Sequence, residues 1–145
     1  MTAKPPAGRR SAGILVAAVA IGCASPGNVF SVAPGDCFDD PDPGVDEISD
    51  VPLVDCQDPH DNEVYAVVEL EDGDYPGDDV VLNRAQDICL DAFEPYVAEP
   101  YATSELFATW IVPTEGSWSD GDREVVCVLF DDDGPLEGSM QESGR

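Results

Sequence analysis

Positive charge is almost missing from this chain. Its 145 residues hold six Lys and Arg against 31 Asp and Glu, a formal net charge of −25. A surface of that sign repels phosphate, which excludes nucleic acid as a partner and disfavours anionic headgroups. Histidine is reduced to one residue, His60. No C-x-x-C spacing occurs, so cysteine-based zinc binding is a poor match. G-x-S-x-G, H-E-x-x-H and the P-loop are all absent, and with them the commonest signatures of serine hydrolases, zinc peptidases and nucleotide binders. Long apolar runs are lacking too. The stretch from Ala12 to Ala24 has 13 residues. As a helix that is about 20 Å, against a bilayer core of about 30 Å, so a membrane span is the weaker reading.

The few bases are not evenly spread. Lys4, Arg9 and Arg10 stand ahead of the apolar run, the order of an export signal. Ala20–Cys23 (AIGC) resembles a lipobox, with Ala20 where Leu is usual. The expectation is a lipoprotein-type signal peptide over 1–22 and lipid attachment at Cys23. Plain secretion with cleavage near Ala20 or Ala24 is the competing reading. Parity favours the first. Five cysteines are odd for an exported protein, and removing Cys23 leaves Cys37, Cys56, Cys89 and Cys127, the number two disulfides require.

Residues 23–34 lack charge and contain Pro and Gly, as expected of a flexible tether, and 35–145 is expected to form the domain. Residues 39–52 are acidic and proline-rich, hence a loop. Residues 63–70 alternate as a half-buried strand, with Val64, Ala66, Val68 and Leu70 on one face and the more polar Glu63, Tyr65, Val67 and Glu69 on the other. Residues 82–97 carry a helical stripe of Leu82, Ala85, Cys89, Ala92, Phe93 and Tyr96, with Asp78 or Asp79 as cap and Pro95 disturbing the last turn. Strands are predicted over 106–113 and 123–130. The second is apolar on both faces and therefore central. The segment between them reads as a loop that leaves Trp118 partly exposed, and the Gly- and Ser-rich end from Pro135 reads as loosely docked. Together these elements predict a small α+β domain, its sheet mostly antiparallel with one main helix on one face.

Cys89 points into the core from the helix, and Cys127 lies in the strand beneath it. Pairing them staples helix to sheet and leaves Cys37 with Cys56 at the base of the acidic loop; the two crossed pairings remain formally open. With Cys56 in a disulfide, a Cys–His nucleophile disappears. His60 with Asp58, Asp61 and Glu63 is a weak metal set, and packing of His60 beside the disulfide is the preferred reading. Asp131–Asp133 lacks the spacing of a calcium loop and reads as a solvated strand end. Arg123 is expected in a carboxylate pair at the start of its strand. His60, Glu63, Trp118 and Arg123 are the candidate partner or ligand contacts. No catalytic residue, metal or cofactor is assigned.

GDCF (35–38), DCQDPHDNEVYAVVEL (55–70), YPG (75–77), the helix with Cys89, Phe93 and Tyr96, W-x-x-G-D-R-x-x-x-C-x-L-F (118–130) and GSMQESGR (138–145) occur in an order that resembles the septum formation family. That resemblance implies an actinobacterial extracytoplasmic domain, often on a lipoprotein, with a possible link to cell division and no catalytic residues. The acidic stretch after Cys37 is longer than in short versions of the family. Two functions are carried forward. One is a non-enzymatic interaction module at the outer face of the cytoplasmic membrane, touching the membrane only through its N-terminal lipid and binding an envelope or division protein. The alternative is an enzyme or metal-dependent ligand binder centred on His60 and Glu63. An acidic shield without a specific partner is a third possibility.

Overall fold

A computed structural model describes residues 27–28, 31–41 and 50–145. The expected signal peptide, Cys23, half of the tether and residues 42–49 of the acidic loop lie outside the described residues.

The main helix, α1 (Asp78–Val97), buries Val81, Ala85, Cys89, Phe93 and Val97 completely, at intervals of four residues. Each large apolar side chain buried in this way contributes roughly 1.5–3 kcal/mol. The stripe differs at one end from the predicted one: Val81 faces the core and Leu82 is exposed. The start differs as well. Gly77, at φ 99°, is the N-cap without a side-chain bond, and Asp78 and Asp79 occupy the first turn, where they favour the positive end of the helix dipole. Pro95 is accommodated within the helix, which ends at Ala98 in the left-handed conformation.

Among the described residues seven strands accompany this helix: β1 (Gly27–Asn28), β2 (Cys37–Phe38), β3 (Asp50–Val51), β4 (Leu53–Val54), β5 (Asn62–Glu69), β6 (Phe107–Ile111) and β7 (Glu124–Phe130). Five form an antiparallel sheet in the order β4-β2-β5-β7-β6, and β1 pairs separately with β3. Strand pairing therefore includes Gly27 and Asn28, within the segment expected to be a tether, and the far end of the expected acidic loop becomes β3. The central β7 is apolar on both faces, as read from the sequence. Val125, Cys127 and Leu129 meet α1, while Val126 and Val128 join a second cluster with Val32, Phe38, Val51 and Val64.

One feature overturns the predicted faces of β5. Val64 pairs with Val128 and Ala66 with Cys127, so Tyr65 is the extra residue of a β-bulge. The bulge resets the alternation. Glu63 and Tyr65 turn to the helix side and are buried, and Val64 goes to the opposite face. Tyr65 uses its new position to donate its hydroxyl to the Cys89 carbonyl at 2.9 Å.

Two further expectations are corrected. The segment before β7 is not all loop: Thr114 and Ser117 form a reciprocal capping box that starts the short helix α2 (Glu115–Ser119). The C-terminal stretch is not loosely docked. Leu136 and Met140 are buried, and Glu142 N–H and Gly144 N–H donate to the carbonyls of Tyr96 and Val97, both at 2.8 Å. Arg145 closes the stretch on Asp131 at 2.7 Å. The Asp133 N–H and then Arg145 hold the Asp131 carboxyl below its ordinary value.

Candidate functional site

Both expected disulfides form. Cys37 bonds Cys56, and Cys89 bonds Cys127, with Cα–Cα separations of 5.3 and 5.4 Å. The first anchors β2 beside the turn that carries His60 into β5.

His60 is 1% exposed. Its backbone is held by Leu136 through two bonds of 3.0 and 2.7 Å. On the ring, Nδ1 lies 2.8 Å from the Asp58 carbonyl. A carbonyl only accepts, so Nδ1 carries a proton and donates it. The ring's Nε2 is buried and has no hydrogen-bond partner.

Glu63 is wholly buried three residues on. Its Oε1 accepts from the hydroxyls of Tyr96 and Ser139, each at 2.6 Å, and Oε2 accepts from the Met140 N–H at 2.7 Å. The carboxylate thus ties together β5, the last turn of α1 and the C-terminal stretch. Three donors satisfy this buried carboxyl, against which no cation stands among the described residues. Burial and the Glu63 contact push the Tyr96 phenol well above its ordinary range.

Ligand-type atoms of Cys37, His60 and Glu63 lie within 4.8 Å of one another. The sulfur is committed to Cys56 and the carboxylate oxygens to their donors, which leaves His60 Nε2 as the one open ligand atom of the three. The acids expected around His60 do not gather there. Asp58 offers its main-chain carbonyl, and the Asp61 carboxylate instead accepts the Asp40 N–H at 3.0 Å.

Trp118 and Arg123 form a separate group at the other end of β7. Trp118 is 5% exposed, in contrast to the exposure expected from its loop-like surroundings. Its Nε1–H donates to the Gly73 carbonyl at 2.9 Å, and Tyr75 meets the ring edge-on. The Arg123 guanidinium lies 3.8 Å from the centre of the Trp118 ring, and Nη1 donates to the carbonyls of Trp118 and Asp122 at 2.8 and 2.6 Å. Arg123 Nε approaches Asp72 at 3.3 Å without hydrogen-bond geometry, and Asp72 is 96% exposed. That ion pair contributes little; the cation–π stack and the carbonyls fix Arg123. A depression of about 430 Å³ adjoins it, walled by Glu69, Asp120, Asp122 and Glu124. Burial, with repulsion from Asp122 and Glu69, raises the Glu124 carboxyl.

The four sequence candidates thus fall into two groups, His60 with Glu63 and Trp118 with Arg123. Sequence reasoning missed Tyr96, Ser139 and Met140 as partners of Glu63. The one available signal was the co-occurrence of Tyr96 and GSM (138–140) in a single ordered motif set.

Among the described residues no helix is long and apolar enough to cross a membrane. Comparison with curated proteins and with solved structures gives no match. A family model described as septum formation matches residues 27–127. The match starts at β1 and spans both disulfides, the His60–Glu63 turn, α1 and the Trp118–Arg123 stack; on it, the chain belongs to the septum formation family.

Proposed function

We propose that this protein is a non-enzymatic interaction module of the cell envelope, lipid-anchored through Cys23 at the outer face of the cytoplasmic membrane. It binds a protein partner during septum formation or wall assembly. Family membership supports the link to septation. The observation that carries the non-enzymatic reading is the state of Glu63: its carboxylate is taken up by Tyr96, Ser139 and Met140 in the service of the fold. Two disulfides suit an oxidising compartment outside the cytoplasm. The test is complementation of a deletion strain, scored as septum spacing. The wild-type gene restores normal spacing, and Cys23→Ala restores it poorly while releasing the protein from the membrane fraction. Normal septation in the deletion strain overturns the reading.

A second reading rests on one observation, the buried and unpartnered Nε2 of His60. In that reading His60 and Glu63 serve an enzyme or a metal-dependent ligand binder. His60→Gln with unchanged melting and lost complementation favours it; equal loss of melting temperature and complementation favours architecture.

A further inference from the structure

Native sheets blunt their edges, because an unpaired strand offers a row of backbone donors and acceptors to any other chain. One edge of this sheet, β4, has only two residues. The other, β6, is different. Phe107–Ile111 (FATWI) contains no charge, proline or glycine. Its five residues run in regular register against Phe130–Val126, and among the described residues no further strand lies outside it. The bulge that bends β5 is absent from the β6–β7 pairing.

The surface beside this edge has a definite chemistry. Phe107 is 42% exposed and stacks on Phe130, with ring centres 5.7 Å apart. Thr109, two residues on, is exposed on the same face of the strand. Thr109 and Phe130 border a groove of about 660 Å³ whose charged wall residues are all acids: Asp40, Asp61, Asp131 and Asp132. Asp131 is neutralised by Arg145, while Asp132 is exposed.

We propose that β6 receives an extended, basic segment of a protein partner as an additional antiparallel or parallel strand. The proposal rests on the module reading above and gives that module its docking surface. Backbone pairing to β6 supplies affinity. Alternate side chains of the incoming strand share the face of Phe107 and Thr109, so Lys or Arg there lays its stem along the Phe107–Phe130 stack and carries its charge to the acidic groove, while the intervening residues turn to the opposite face. Charge selects the occupant. With 31 acids against six bases, a second copy of this chain brings like charge to a like-charged groove, whereas a basic strand brings its complement.

The test uses the full-length protein in mild detergent and a labelled synthetic peptide of alternating lysine and valine, followed by fluorescence anisotropy. A peptide of the same charge with proline in place of valine is the control. The lysine–valine peptide is expected to bind about tenfold tighter than the control and to weaken as salt rises. Thr109→Lys places a positive charge at the groove on an exposed position and is expected to reduce affinity about tenfold with unchanged melting. Phe107→Ala reduces it too, and Leu82→Lys on the outer face of α1 does not. Equal binding of both peptides, or undiminished binding to Thr109→Lys, overturns the proposal in favour of general polycation adhesion. Self-association lost on Thr109→Lys, with no peptide binding, overturns it in favour of a second copy. Failure of the edge is distinguishable from failure of the module reading: if the peptide does not bind and Thr109→Lys still restores septum spacing, only the edge assignment falls.

Discussion

The hydroxyl of Tyr96 meets the carboxylate of Glu63 at 2.6 Å, across 33 residues of sequence. The same carboxylate oxygen takes the Ser139 hydroxyl, 76 residues downstream of Glu63. A single acid in β5 thereby holds the end of α1 and the C-terminal stretch against the sheet.

Removing that acid leaves two hydroxyls and one N–H without an acceptor. Each stranded buried donor costs about 1–3 kcal/mol, so Glu63→Ala is expected to lose about 3 kcal/mol or more. Glu63→Gln keeps one acceptor oxygen and loses less. Urea unfolding measures the totals, and hydrogen exchange at the Met140 amide reports local release of the C-terminal stretch ahead of global unfolding.

High pH acts on the same group of residues. Burial holds the phenols of Tyr65 and Tyr96 above the ordinary value, reinforced for Tyr96 by its bond to Glu63. The native state therefore keeps these protons more tightly than the unfolded chain does. Their contribution to stability is intact below a pH of about 10 and is lost as pH rises from there toward the raised native values. Melting temperature followed against pH should fall in that window. Tyr96→Phe flattens the fall while lowering stability at neutral pH, since Glu63 loses a donor.

For His60 the expectation is structural. His60→Ala opens a cavity at a position 1% exposed and is expected to cost about 2–4 kcal/mol, in the range of other large buried side chains cut to Ala. His60→Leu fills the space and removes the unpartnered Nε2, at the loss of the bond to Asp58. It should cost less than His60→Ala. Thermal melts of the two variants decide; equal large losses in both would show that the Nδ1–Asp58 bond, not volume, is what the fold needs.

The disulfides should differ in strength and in access. Cys89–Cys127 closes a span of 38 residues and Cys37–Cys56 one of 19. In the chain-entropy account, doubling the loop adds about 0.6 kcal/mol, on contributions of about 3–4 kcal/mol each. Cys89 and Cys127 are wholly buried, whereas Cys56 is half-buried. Reductant with mass-spectrometric trapping should open Cys37–Cys56 first, and the Cys89→Ala/Cys127→Ala pair should destabilise more than its counterpart.

What the sequence made legible follows period and parity. Cys89 on a helical stripe and Cys127 on an alternating strand face one another because both periods hold, and the disulfide pairing came from that geometry. Where a period breaks, the reading fails. The alternation of 63–70 gives no sign that Tyr65 is an extra residue, so the faces it predicts for Glu63 and Val64 are the reverse of those they occupy. Local composition misled in two places. Gly and Ser around Met140 suggest looseness, but the segment is held by contacts with residues far away in sequence, which no local pattern encodes. SWSDGD looks like a loop, yet Ser117 serves at the capping-box position where Glu or Gln is the familiar signal, and Trp118 is drawn inward by Gly73, Tyr75 and Arg123.

The order of the disulfides along the chain has a consequence for biogenesis. Cys37 joins Cys56, and Cys89 joins Cys127, so each cysteine pairs with its immediate neighbour in the described sequence and no bridge encloses another's partner. A chain that emerges N-terminus first presents Cys37 and Cys56 to an oxidant before Cys89 has appeared. With Cys23 taken up by lipid, as proposed above, joining the remaining thiols in their order of arrival yields the native connectivity directly, without a step that reshuffles wrong bridges.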